Sequence, residues 1–153
     1  FLGHASNHYP EFFERYRGHV QALQDAGLVA ESGLQVDAVT TEQSGFEAAR
    51  ELLARDEPFD AIFAASDLIA IGAMKALHER GLRVPEDVAV AGFDDIPMAG
   101  FVNPSLSTVQ QDTKLAGSML VENLLRLIND EPVESQTIPV KLALRKSSGA
   151  IQA

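Results

Sequence analysis

The side chains able to do chemistry fall in four short clusters. His4, Ser6, Asn7 and His8 precede Pro10, with Arg15 close behind. Thr40, Thr41 and Glu42 form a second group, Ser66 and Asp67 a third, and Asp94 and Asp95 a fourth. A carboxylate accepts hydrogen bonds from neighbouring hydroxyls, a guanidinium donates a planar fork, and helix starts offer free N–H groups. Together these groups suit a ligand rich in hydroxyls. Taken singly, Ser66 and Asp67 read as well as helix caps, and Asp94-Asp95 as a strand end. As a set they read as a ligand rim.

Other chemistries lack their residues. The chain has no G-x-S-x-G nucleophile elbow, no G-x-x-x-x-G-K-[ST] phosphate loop and no G-x-G-x-x-G dinucleotide turn. His4 and His8 lie on a loop without a third ligand, so no metal site is expected. A triad on Ser66 would need a histidine aimed at it, which sequence does not show, and it is not the expected reading. With no cysteine, thiolate metal sites and a cysteine nucleophile are excluded. A receiver domain would carry its acidic pair after the first strand, whereas here the pair follows the fourth. The expectation is a binding module with no cofactor and no catalytic residue.

The elements that must position these clusters alternate between two periods. Phe1 to Ala5 reads as a short strand remnant. Pro10 suits a first helical turn, and Phe12, Tyr16, Val20 and Leu23 share a helical face that ends at Gly27. Leu34 to Val39 alternates as a strand. Ser44 to Glu47 has the form of a capping box, and Phe46, Ala49, Leu52 and Leu53 form the buried stripe of the next helix. Phe59 to Ala65 is a nearly continuous apolar run, as expected of a central parallel strand covered on both faces. Ser66 or Asp67 caps a helix over Leu68 to Arg80. Its first turns are apolar almost all round, so it is buried on more than one side, one of which could face another subunit. Val88 to Phe93 is a fourth strand. Ile96 to Leu106 reads as irregular or a single helical turn. Asp112 caps a last helix, and Thr137 to Leu144 alternates as a terminal strand. Strands joined by helices in this order predict an α/β fold, a doubly wound parallel sheet. In such a sheet, ligands bind beyond the carboxyl ends of the strands, where the four clusters fall.

The 153 residues suffice for one domain and are thin for two; 46% are hydrophobic and 22% charged, an ordinary globular mixture. Twelve Lys and Arg against 22 Asp and Glu give a net charge of −10. Such a chain repels phosphate, so it should hold neither duplex DNA nor an anionic membrane by charge. No apolar run is long enough to span a bilayer. The chain starts at Phe1, inside an apolar run, and is expected to be a piece of something longer.

Three long stretches carry a family resemblance. Phe59-Asp60-Ala61-Ile62-Phe63-Ala64-Ala65-Ser66-Asp67-Leu68-Ile69-Ala70-Ile71-Gly72-Ala73, Gly81 to Asp95 (GLRVPEDVAVAGFDD) and Pro104 to Asp112 (PSLSTVQQD) resemble the lac-repressor family of bacterial transcription regulators. Arg145-Lys146-Ser147-Ser148 is similar to that family's closing R-x-S/T. The resemblance runs over essentially the whole chain, with order and spacing kept. It implies a periplasmic-binding-protein-like (type I) effector domain, of which 1–153 is mainly the second lobe. Residues 113–129 would be a helix belonging to the first lobe, and the DNA-binding head and most of the first lobe would lie upstream.

Residue by residue, the resemblance places effector contacts on Arg15, Ser66 and Asp94, with Gln111 near the lobe crossing. Ser66 stands where many members have asparagine, which shortens its reach and removes donors. Thr40 stands where sugar-binding members carry an aromatic platform, so stacking from that position is lost. Homodimer contacts are implied at Ile71 and at Met98, Phe101 and Val102, although a buried helix in a monomer also explains the apolar face at Ile71. The implied protein is cytoplasmic, senses a small effector such as a sugar, and reaches DNA only through its absent head. The alternative is a periplasmic sugar-binding protein of a transporter, which shares the fold and the rim.

Overall fold

The computed structural model describes residues 1–149. Helix α1 (Pro10–Asp25) starts with proline in its first turn, where the missing N–H costs nothing. Helix α2 (Glu42–Ala54) is capped by Thr41, whose hydroxyl accepts the Ser44 N–H at 3.1 Å. The expected box beginning at Ser44 is therefore displaced: Ser44 sits inside the helix, and its own hydroxyl takes the Val39 N–H. Helix α3 (Asp67–Glu79) is capped by Ser66. Helix α4 (Thr113–Ile128) is capped by Asp112, as its sequence predicts.

The strands are β1 (Ala61–Phe63), β2 (Ala89–Asp94), β3 (Ser107–Gln111) and β4 (Val140–Ala143), in spatial order β1-β2-β3-β4. The first three are parallel, with Ile62 opposite Val90 and Phe93 opposite Val109. Beyond β1 the sheet continues as single bridges, from Ala64 to Leu2 and from Leu2 to Val36. The strands expected over Phe1 to Ala5 and Leu34 to Val39 are thus reduced to one paired residue each. Ser32–Leu34 is a 3-10 turn instead. Two further expectations need correction. β4 runs antiparallel to β3, so the sheet is mixed at that edge. β3 itself went unread, because Ser107 and Thr108 are buried yet polar and break the apolar pattern of a strand.

Helices cover both faces. On one, α1 lays Tyr16 and His19 over Phe1, with ring centroids 5.3 and 5.8 Å apart. On the other, α2 and α3 pack so closely that each depends on a bare glycine. A Cβ on Gly45 would lie 2.2 Å from the Ile69 carbonyl oxygen, and one on Gly72 would lie 2.0 Å from that of Glu42. This accounts for much of the apolar girth of α3: its second side meets α2. Leu2, Ile62, Ile69, Leu77, Val90 and Leu106 form the centre of the core. α4 stands apart, with none of its residues buried.

Candidate functional site

The carboxyl ends of the parallel strands bring three of the expected residues together. Arg15 lies in the second turn of α1, pointing back over the sheet. Its guanidinium donates to the Ala65 carbonyl, at the end of the β1 line. The guanidinium carbon sits 3.9 Å from the centre of the Phe93 ring, a cation–π contact. Its other terminal nitrogen is 3.6 Å from Asp94 Oδ1. Gln111, at the end of β3, donates to the same Asp94 oxygen at 2.7 Å. Burial lowers the Arg15 pKa, and the negative charges of Asp94, Glu11 and Asp67 oppose that shift. Burial raises Asp94, opposed by Arg15 and by the Gln111 hydrogen bond.

Asp94 and Asp95 have φ of 116° and 55°, a region that non-glycine residues avoid. Asp95 turns away from Arg15 and is held by Arg145 at 2.6 Å and by Gln110 at 2.8 Å. Arg15 and Asp94, both half-buried, and the exposed Gln111 therefore form one set with donors and acceptors already oriented. A groove of about 800 Å³ runs between α1 and the part of the sheet it leaves uncovered, from Arg15 and Gln111 past Phe93, Val109 and Leu142.

The other expected residues are placed differently. Ser66 lies beside the Ala65 anchor but is 1% exposed, and its hydroxyl accepts the Ile69 N–H. It shapes the end of the strand and caps α3; it does not present a hydroxyl to solvent. Thr40 is exposed on the loop before α2, with no hydrogen bond to the Arg15–Asp94 set. His4 stacks on Tyr9 with centroids 3.9 Å apart and lies 3.4 Å from Asp37, while His8 meets Ser6. Among the described residues no cluster of three or more His, Cys, Asp or Glu could hold a metal ion. Of the implied dimer residues, Phe101 is 86% and Met98 55% exposed, and Ile71 and Val102 line one shallow hollow.

Sequence reading missed Phe93 as the ring beneath Arg15. The signal was available: it is the last apolar residue of β2, immediately before Asp94. The anchoring role of Arg145 was not legible, because it lies 50 residues from Asp95.

The fold and the rim are those of an α/β domain with a mixed sheet, its polar set gathered at the ends of the parallel strands. Comparison with known proteins agrees: residues 1–148 match the family model described as periplasmic binding protein-like domain. The chain belongs to that family and is an effector-binding domain of the lac-repressor type. It is 41% identical to the HTH-type transcriptional regulator CelR of Thermobifida fusca, over 86% of this chain and 37% of the relative. The solved Escherichia coli transcriptional repressor ascG superposes with a TM-score of 0.85 at 37% identity, covering 96% of this chain and 54% of that one. The CelR–cellobiose complex superposes at 0.84 with 39% identity, covering 88% and 42%. The chain thus spans well under half of that curated relative and about half of the solved chains.

Proposed function

We propose that this chain is the greater part of the second lobe of the effector-sensing domain of a bacterial transcription regulator, working in the cytoplasm. The effector is a sugar or sugar derivative. Arg15 and Asp94 hold its hydroxyls, Gln111 closes the set from β3, and Ser66 contributes by capping α3 beside the Ala65 carbonyl that anchors Arg15. The convergence of Arg15 and Gln111 on one Asp94 oxygen carries this reading. Effector held between two lobes favours one inter-lobe angle, and a homodimer passes that preference to DNA-binding heads. Such a shift requires different affinities in the two states.

The exposed α4 supports the assignment of 113–129 to a contact with the first lobe. Leu120, Leu124, Leu125 and Ile128 are each more than half exposed, a costly state for an amphipathic helix of this length. Met98 and Phe101 support a homodimer surface. The transporter-protein alternative shares the fold, but the relatives are named as regulators.

A titration with a panel of mono- and disaccharides, cellobiose included, followed by amide and guanidinium NMR signals, tests the reading. With one lobe's contacts only, dissociation constants should be millimolar or weaker, and shifts should centre on Arg15, Asp94 and Gln111. Shifts confined to another surface, or a submicromolar constant for this chain alone, would contradict it.

A further inference from the structure

Asp67 begins α3, yet its carboxylate does not serve the helix. It is fully buried, and it reaches across to two other elements. Oδ2 accepts the Ile96 N–H at 2.8 Å, and Oδ1 accepts the Thr108 hydroxyl at 2.6 Å. The Thr108 oxygen in turn accepts the Asp95 N–H at 3.3 Å. These bonds hold the backbone at Asp95 and Ile96, within and just after the turn formed by Asp94 and Asp95.

That turn needs holding. Two successive non-glycine residues at positive φ persist only where their surroundings over-determine the conformation. Arg145 and Gln110 fix the Asp95 side chain from one side, and Arg145 also donates to the Leu106 carbonyl at 2.8 Å. Asp67 and Thr108 fix the backbone from the other. What remains free to face outward is the Asp94 carboxylate, aimed at Arg15 and Gln111. The sequence makes room for this reach: a Cβ on Gly92 would lie 2.3 Å from Asp67 Oδ1. Ile96, held by the same carboxylate, also opens the 3-10 turn Pro97–Gly100 that leads into the exposed Phe101.

We propose that Asp67, acting with Thr108, is the positioning residue of the effector site. It sets the backbone of residues 94–96, and so ties the aim of Asp94 to the placement of the Met98–Val102 surface. The proposal rests on the reading of Asp94 as an effector contact, but its test reads the turn directly. A ligand at Asp94 and a partner on Met98 and Phe101 would both act on one backbone segment.

The experiment is amide hydrogen exchange and NMR on the unliganded chain carrying Thr108→Val, with Thr108→Ser and Asp67→Asn beside it. Valine keeps the volume and removes the bridging hydroxyl. Exchange at the Asp95 amide should speed up roughly 5- to 10-fold, the effect of one lost hydrogen bond. The Gln111 side-chain and Arg15 guanidinium signals should move, as should the Met98 and Phe101 amides. Amides of α3 such as Leu77 should keep their native rates, and Thr108→Ser should restore the native pattern. Native exchange at Asp95 and unmoved Arg15 and Gln111 signals in Thr108→Val would overturn the proposal. So would a uniform rise across all amides, the mark of a merely structural role. If saccharides shift only signals on another surface while the exchange result holds, the sugar reading fails and the positioning role stands.

Discussion

Arg15 shows how one side chain organises the site. The Ala65 carbonyl, the Phe93 ring and the Asp94 carboxylate fix its fork on three sides. A lysine has no planar fork and would lose at least one of these contacts. The acidic partners carry a pH signature as well. Burial outweighs the hydrogen bonds from Thr108 and Ile96 and lifts the Asp67 carboxyl above its ordinary value of 3.8. The folded chain then keeps a proton that the unfolded chain has already released. Asp67 therefore lowers stability as pH rises from about 4 through its raised pKa, with no further loss above it. Urea denaturation at a series of pH values should show a shallower fall over that window in Asp67→Asn than in the native chain. Parallel curves for the two proteins would exclude a raised Asp67.

At the scale of elements, the contact between α2 and α3 is set by backbone approach. The Cβ of Gly72→Ala would press on the Glu42 carbonyl and the Phe46 amide, neither of which can step aside as a side chain can. The helices must separate, at a cost of about 1–3 kcal/mol. A chemical denaturation midpoint equal to that of the native chain would show that the pair yields freely. The elements that were legible in the sequence share one property: their burial is apolar and periodic. Residues 59–65 read as a central strand because β1 is covered on both sides, and Ser66 and Asp112 read as caps because an orphan N–H needs an oxygen. β3 was invisible because its buried Ser107 and Thr108 are satisfied by groups distant in sequence. Ser107 N donates to Ser147 Oγ at 2.8 Å, and Thr108 bonds to Asp67. The gathering of Arg15 and Asp94 on one rim was legible from the strand ends as well as from the resemblance, whereas the strained Asp94-Asp95 turn and its buried Asp67 support appear only in three dimensions.

For the whole molecule, charge and unpartnered apolar surface separate two kinds of partner. A net charge of −10 opposes duplex DNA, so these 153 residues should not hold it by charge. The loop with Met98 and Phe101 presents apolar side chains that a second copy can bury. Sedimentation should show concentration-dependent association of the native chain, reduced in Phe101→Ser. Equal sedimentation of the two would remove that loop from the interface.

The saccharide titration repeated on Asp94→Ala bears most directly on the effector site. An effector site at Asp94 predicts that whichever sugar moves the Arg15, Asp94 and Gln111 signals in the native chain no longer moves Arg15 or Gln111 in the variant. A sugar bound at those residues with undiminished affinity in the variant would contradict it.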